Sequence, residues 1–87
     1  MVSHLNRYII YGRSTCPYCK KAVDFLDSKR KENIFFDFSD DPEAISDAKR
    51  FYKLETVPII LENNNVSGHT RLIGGYSDLV EYLNDRV

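Results

Sequence analysis

No apolar run in this chain approaches the roughly 18 residues that a membrane-spanning helix requires, and residues 1–7 lack the apolar core of a signal peptide. An excess of one charge is missing too: 12 basic residues face 13 acidic ones, for a formal net charge of −1. With neither a basic stripe nor a long like-charge block, the composition gives no support to nucleic-acid or membrane partners. Repeats, low-complexity stretches and linkers are absent, and 87 residues are enough for one modest core and too few for two. A single domain over residues 1–87 is therefore expected. Cysteine is scarce as well, and its placement is informative. The only two, Cys16 and Cys19, stand three positions apart in Cys16-Pro17-Tyr18-Cys19. Without a secretion signal the expected compartment is the reducing cytoplasm, where such a pair is catalytic or metal-binding rather than structural. The glycosylation sequon Asn65-Val66-Ser67 is then a chance match.

The residues around the pair predict a strand, a loop and a helix. Arg7 to Gly12 is a short β-rich apolar run ending in glycine. From Cys16 to about Lys31, the residues Cys19, Ala22, Val23, Phe25 and Leu26 fall largely on one helical face, and Lys20, Lys21, Asp24, Asp27 and Lys29 lie elsewhere. Pro17 suits the first helical position, where its missing N–H costs nothing. Asn33 to Phe38 reads as a second strand. Ser39-Asp40-Asp41-Pro42 then supplies an N-cap and a first-turn proline for a helix running to about Tyr52. Val57 to Leu61 predicts a third strand, Glu62 to Thr70 a long polar hairpin connection, and Arg71 to Gly74 a fourth strand. Ser77 is expected to cap a last helix with Leu79, Val80, Tyr82 and Leu83 on its apolar face. The order β-α-β-α-β-β-α requires a parallel, right-handed first crossover and an antiparallel closing hairpin. The expected fold class is α/β, a four-stranded mixed sheet flanked by three helices. Such a sheet places the cysteines beyond the carboxyl end of its first strand, where open α/β sheets bind ligands.

Two thiols this close at a strand-to-helix junction can be joined and separated cheaply, which is the geometry of a redox couple. With Cys16 at the N-cap, free backbone N–H groups and the positive helix end favour its thiolate. The dipole contributes only about 0.3–2 kcal/mol, so direct hydrogen bonds to the sulfur are expected to add to it. Cys19 lies one turn in, on the core-facing side, which suits a resolving thiol. In this reading Cys16 attacks a substrate disulfide, and Cys19 displaces the product and closes the Cys16–Cys19 bond. A structural staple over so short a loop would bring only about 2 kcal/mol and would not persist in a reducing compartment. A zinc site needs four ligands, and only His4 and His69 could complete it, with no finger-like spacing. No metal is expected.

With this unit, Thr56-Val57-Pro58 and Gly74-Gly75-Tyr76-Ser77-Asp78 occurring in that order, the chain resembles the dithiol glutaredoxins over nearly its whole length. The run Tyr11-Gly12-Arg13-Ser14-Thr15-Cys16-Pro17-Tyr18-Cys19 carries most of the likeness. The resemblance implies a thioredoxin fold and glutathione as electron donor. It also implies a cis Pro58, leaving the Val57 backbone free to pair with an extended thiol peptide as an added strand. The start of the last helix becomes the place for the γ-glutamyl carboxylate. The glutathione-binding residues implied are Arg13, Tyr18, Thr56, Val57, Pro58, Gly75, Tyr76, Ser77 and Asp78. Asp78 inherits a contact to the ligand's α-amino group, and first-turn helix stabilisation is compatible with it. Arg13 inherits a contact to the glycyl carboxylate, set against a plain solvated surface role. Lys49, Arg50 or Lys53 could supply a second basic clamp, at a position that does not align. The Glu62–Thr70 connection is longer than the tight hairpin of small bacterial glutaredoxins, and His69 reads as a surface residue.

The function implied is a glutathione-dependent thiol–disulfide oxidoreductase. It would reduce glutathione mixed disulfides through Cys16 alone and protein disulfides through Cys16 and Cys19, with ribonucleotide reductase as a protein partner by family analogy only. A monomer is expected, because no exposed apolar stripe calls for a partner. Two alternatives stand beside it. A redoxin recharged by thioredoxin reductase fits less well with the carboxylate site at Gly74–Asp78. An iron–sulfur cluster carrier using Cys16 and glutathione is disfavoured by Pro17 and Tyr18, since such glutaredoxins usually carry Cys-Gly-Phe-Ser or a glycine at the second position.

Overall fold

The computed structural model describes residues 6–84; His4 and the other residues of 1–5, most of the segment read for a signal peptide, lie outside them. The elements follow the expected order: β1 (Asn6–Gly12), α1 (Pro17–Ser28), β2 (Asn33–Asp37), α2 (Pro42–Tyr52), β3 (Ile59–Asn64), β4 (Thr70–Gly74) and α3 (Tyr76–Asn84). The sheet runs β2-β1-β3-β4. β1 pairs parallel with β2 and antiparallel with β3, and β3 pairs antiparallel with β4. This is the mixed sheet the pattern required and the thioredoxin fold the resemblance implied.

The alternation of side chains along β1 divides the core in two. Tyr8 and Ile10 face α1 and α3, joining Ala22, Leu26, Ile60, Leu79 and Leu83 in one buried cluster. Ile9 and Tyr11 point the other way, beside Leu61 and Ile59 across the strand pair, and the Tyr11 ring stacks 6.5 Å from that of Tyr52 on α2. Each fully buried Leu or Ile in these layers contributes about 1.5–3 kcal/mol. On the α2 side the cover is incomplete: Ile34, Phe36 and Leu72 are about two-fifths exposed, and Phe51 is 76% exposed. These are apolar surfaces that the helix patterns did not signal.

β3 begins at Ile59 rather than Val57, since the cis Val57–Pro58 bond turns the chain just before it, and three further boundaries differ from expectation. The helix after the cysteines stops at Ser28 rather than near Lys31, because Arg30 turns left-handed at φ 58°. Its N–H returns to Asp27 O at 3.0 Å and that of Lys31 to Leu26 O at 2.9 Å, the double bond of a Schellman ending. Strands β3 and β4 extend into the stretch read as a long connection, leaving only residues 65–69 between them. Polar side chains hold these strand ends: Asn63 Nδ2 donates to Thr70 Oγ1 at 2.9 Å and Asn64 Nδ2 to Asn6 Oδ1 at 3.0 Å. Asn64 Oδ1 also accepts from the N–H groups of Val66 and Ser67, both at 2.9 Å, which closes the turn. The hairpin is therefore tight, and His69 is exposed on it.

The third difference concerns α3. It starts at Tyr76, one residue before the expected cap. Ser77 lies inside its first turn, and Gly75 O already accepts from Leu79 N–H at 3.0 Å. Lower on the same helix, Tyr82 Oη donates to Glu62 Oε1 at 2.8 Å, while Tyr8 Oη donates to Glu62 Oε2 at 2.6 Å. A largely buried Glu62 thereby ties α3 to β1 through β3.

Candidate active site

β1 ends at Gly12, and the chain turns at once: Cys16 N–H donates to Arg13 O at 3.1 Å. Cys16 O then accepts from Cys19 N–H at 3.1 Å and Lys20 N–H at 3.2 Å, which starts α1. Cys16 is the N-cap, with extended backbone at φ −84° and ψ 117°, and Pro17 follows in the first turn as expected. The sulfur makes no capping bond to the helix. Its thiol points across the site and donates to Val57 O at 3.8 Å. The direct helix-to-sulfur bonds anticipated from the sequence are thus replaced by a contact with the segment entering β3.

Cys19 occupies a different environment. It is 1% exposed, and burial, the largest cause, pushes its thiol up to about 12. A hydrogen bond from the Arg13 backbone opposes that shift, and the neighbouring Cys16 thiol reinforces it. The two thiols are therefore unequal, Cys16 half-buried and Cys19 fully buried. Gly12 makes room for this arrangement. A Cβ there would overlap Cys19 Sγ and lie 3.3 Å from Cys19 Cβ and 3.3 Å from Phe35 Cε1. Its role was not recognised from the sequence, where it marked only a strand end.

Beside Cys16 opens a cleft of about 260 Å³ lined by Tyr18, Thr56, Val57, Pro58, Gly75, Tyr76, Ser77 and Asp78. The Val57–Pro58 bond is cis, as the resemblance implied. Eight of the nine residues implied for glutathione thus come together from three separate segments. Arg13 does not line the cleft; its backbone serves Cys19 instead. Lys49, Arg50 and Lys53 do not line it either. Tyr18 and Tyr76 form an aromatic wall with ring centroids 5.8 Å apart, and Lys21 Nζ sits 4.9 Å from the Tyr18 ring centroid.

Glycine geometry shapes the opposite wall. Gly74 has φ 125°, and a Cβ there would overlap the Asp78 carboxylate. That carboxylate reaches back to accept from Gly75 N–H at 2.9 Å, satisfying one of the donors a helix start leaves open. Capping of α3 therefore comes from Asp78, in place of the expected Ser77.

A further cluster, unforeseen from the sequence, stands behind the cysteine loop. Asp37 Oδ1 accepts from Ser39 Oγ at 2.5 Å, Ser39 N–H at 2.9 Å and Ser14 N–H at 3.1 Å. These bonds, first that of the Ser39 hydroxyl, hold the Asp37 carboxyl below the usual carboxylate range. An Asp two residues before a Ser at a strand end is an Asx-turn signal that could have flagged it. Among the described residues, no group of three or more His, Cys, Asp or Glu is arranged to hold a metal ion, and no helix is long and apolar enough to cross a membrane.

A glutaredoxin family model matches residues 8–67. The chain is 32% identical over 57 residues to an uncharacterized glutaredoxin-like 8.6 kDa protein in the rubredoxin operon of Clostridium pasteurianum, covering 66% of this chain and 76% of that protein. Its fold is similar to the solution structure of a glutaredoxin from Brucella melitensis, with a TM-score of 0.72 and 29% identity over 95% of this chain and 84% of the other. It is also similar to the dithiolic glutaredoxin 2-C-Grx1 of Trypanosoma brucei brucei, with a TM-score of 0.67 and 29% identity over 99% of this chain and 90% of the other.

Proposed function

The chain belongs to the glutaredoxin family, and on that premise we propose that it is a glutathione-dependent thiol–disulfide oxidoreductase acting as a monomer in the cytoplasm. Thiol–disulfide oxidoreduction is the chemistry of the family, and glutathione dependence is the finer reading. One observation carries it: the Cys16 thiol lies 3.8 Å from Val57 O, at the edge of a cleft bounded by the half-buried Val57 just ahead of β3 and by the start of α3. An extended thiol peptide laid along Val57 would pair with its backbone, present its carboxylate to the start of α3 and bring its sulfur to Cys16. Asp78 at that helix start is available to the ligand's α-amino group.

The chemistry divides between the cysteines. Cys16 thiolate attacks one sulfur of a substrate disulfide, the glutathione-side sulfur where the substrate is a glutathione mixed disulfide; that sulfur becomes bonded to Cys16, and the other sulfur leaves as a thiolate with the bonding pair. For glutathione mixed disulfides, a second glutathione thiolate then attacks the glutathione sulfur bound to Cys16, which releases the Cys16 thiolate and carries the oxidation away as glutathione disulfide. For protein disulfides, Cys19 loses its proton, attacks Cys16 and closes the intramolecular disulfide.

Steady-state turnover of a small glutathione mixed disulfide tests the reading on wild type, Cys16→Ser and Cys19→Ser. Cys16→Ser should be inactive, and Cys19→Ser should retain turnover. Turnover by Cys16→Ser, or recycling of the wild type by thioredoxin reductase but not by glutathione, would overturn the proposal.

A further inference from the structure

Resolution needs Cys19 to become a thiolate inside the core. Its sulfur packs against the Gly12–Arg13 peptide, where a Gly12 Cβ would overlap it, and the Arg13 backbone acts on Cys19 in the sense that favours the thiolate, as its N–H does by donating. That N–H shares a peptide plane with Gly12 C=O. The plane is trans, the cis exception being Val57–Pro58, so its N–H and C=O point in opposite directions. The C=O is held from the far side, where Phe38 N–H donates to Gly12 O at 2.8 Å. The next peptide is held too, with Ser14 N–H within 3.1 Å of both Asp37 Oδ1 and Ser39 Oγ. The turn that ends β2 therefore grips the loop at two consecutive peptides, and the free side of the first faces Cys19.

We propose that the β2 turn, through Asp37 and Ser39, is a positioning device for the resolving step: it aims the Arg13 N–H at Cys19 and so serves the two-cysteine route while leaving Cys16 attack unaffected. Asp37 and Ser39 touch neither substrate nor sulfur and act through the loop. The inference rests on the reading of Cys19 as the resolving thiol. Its prediction is selective. Loosening the loop slows the second sulfur exchange and spares the first, because Cys16 Sγ takes its partner from Val57 on another segment.

Stopped-flow reaction of the pre-reduced protein with a symmetrical nitroaryl disulfide separates the two exchanges without glutathione. Cys16 thiolate attacks one aryl sulfur, forming the mixed disulfide and releasing one coloured aryl thiolate. Cys19 thiolate then attacks the Cys16 sulfur, forming the Cys16–Cys19 bond and releasing the second aryl thiolate. The reagent gains two electrons, the dithiol loses them, and both thiol protons pass to buffer. Asp37→Ala should slow the second release about fivefold, the rate equivalent of one ordinary hydrogen bond, with the first release unchanged as an internal control of folding. Asp37→Asn, which keeps the acceptor oxygen, should restore most of that rate, and Ser39→Ala should fall between. Equal slowing of both releases, an unchanged second release, or an Asp37→Asn variant as slow as Asp37→Ala would each overturn the proposal. A wild type with no second release would instead refute Cys19 as the resolving thiol.

Discussion

Replacing Gly12 with alanine isolates the steric demand of the buried thiol. The Gly12 backbone is outside the left-handed region, which only Gly68 and Gly74 enter among the described glycines, so alanine meets no conformational penalty there. The whole effect comes from one added methyl group. It would overlap Cys19 Sγ and stand 3.3 Å from Cys19 Cβ and from Phe35 Cε1. Cys19, 1% exposed, cannot swing into solvent, and Phe35 is half-buried and packed against the main cluster. Overpacking of this kind costs about 1–3 kcal/mol, and each kcal/mol lowers Tm by about 4–8 °C in a domain of this size. Thermal unfolding under reducing conditions of wild type, Gly12→Ala, Cys19→Ala and the double variant measures it as a cycle. Because Cys19→Ala removes the overlapping atom, Gly12→Ala should cost clearly less in that background than in wild type, and the difference is the coupling between the two sites. Equal losses in both backgrounds would show that the methyl group strikes something other than the sulfur. A Gly12→Ala protein that melts with wild type would refute the crowding altogether.

Alkaline stability reports on Cys19 directly. Its folded-state value near 12 lies above the ordinary 9.0, so the folded protein holds this proton longer than the unfolded chain. The resulting stabilisation is complete below about pH 9 and is lost as pH rises toward 12. Urea midpoints of the reduced protein should fall across that window, and Cys19→Ala should fall less; parallel curves would contradict the assignment. At the cleft, Gly74→Ala combines a φ of 125° with overlap of the Asp78 carboxylate. It should cost about 1–3 kcal/mol in urea unfolding and raise the KM for a glutathione mixed disulfide more than it changes kcat.

Sequence legibility varied with the range of the interactions involved. Strand β1 and the start of α1 are encoded locally, by an apolar run closed at Gly12 and by Pro17 at the first helical position, and both were readable. The start of α2 was equally plain, since Asp41 accepts from Ala44 N–H at 3.0 Å just before Pro42. The polar ends of β3 and β4 were not readable, because Asn63 and Asn64 are strand residues only by virtue of Thr70 and Asn6, partners seven and 58 positions away. The end of α1 was obscured for another reason: an arginine, not a glycine, takes the left-handed position. Ser77 looked like a cap by residue type, yet the unusual φ of Gly74 lets the helix begin earlier. At the site, the unequal burial of the two cysteines followed from spacing and helix position. The cleft did not, since no periodicity links residue 18 with 56–58 and 75–78; only the family resemblance connected them. Gly12 and the Asp37–Ser39 turn escaped both routes, as their importance lies in what approaches them from another strand or helix.

The left-handed ends of α1 and α2 bear on how this sequence can drift. Arg30 and Lys53 each sit at φ 58°, a conformation that costs a residue with a side chain roughly 1–2 kcal/mol, whereas glycine trades that cost for about 0.5–1 kcal/mol of chain entropy. Neither residue lines the cleft. Two surface positions thus hold unused stability, reachable by single substitutions that leave the chemistry alone. A lineage that exchanged either for glycine would gain tolerance for costly changes around the thiols, so variation at the cysteine loop and simplification at these distant helix ends should arise together.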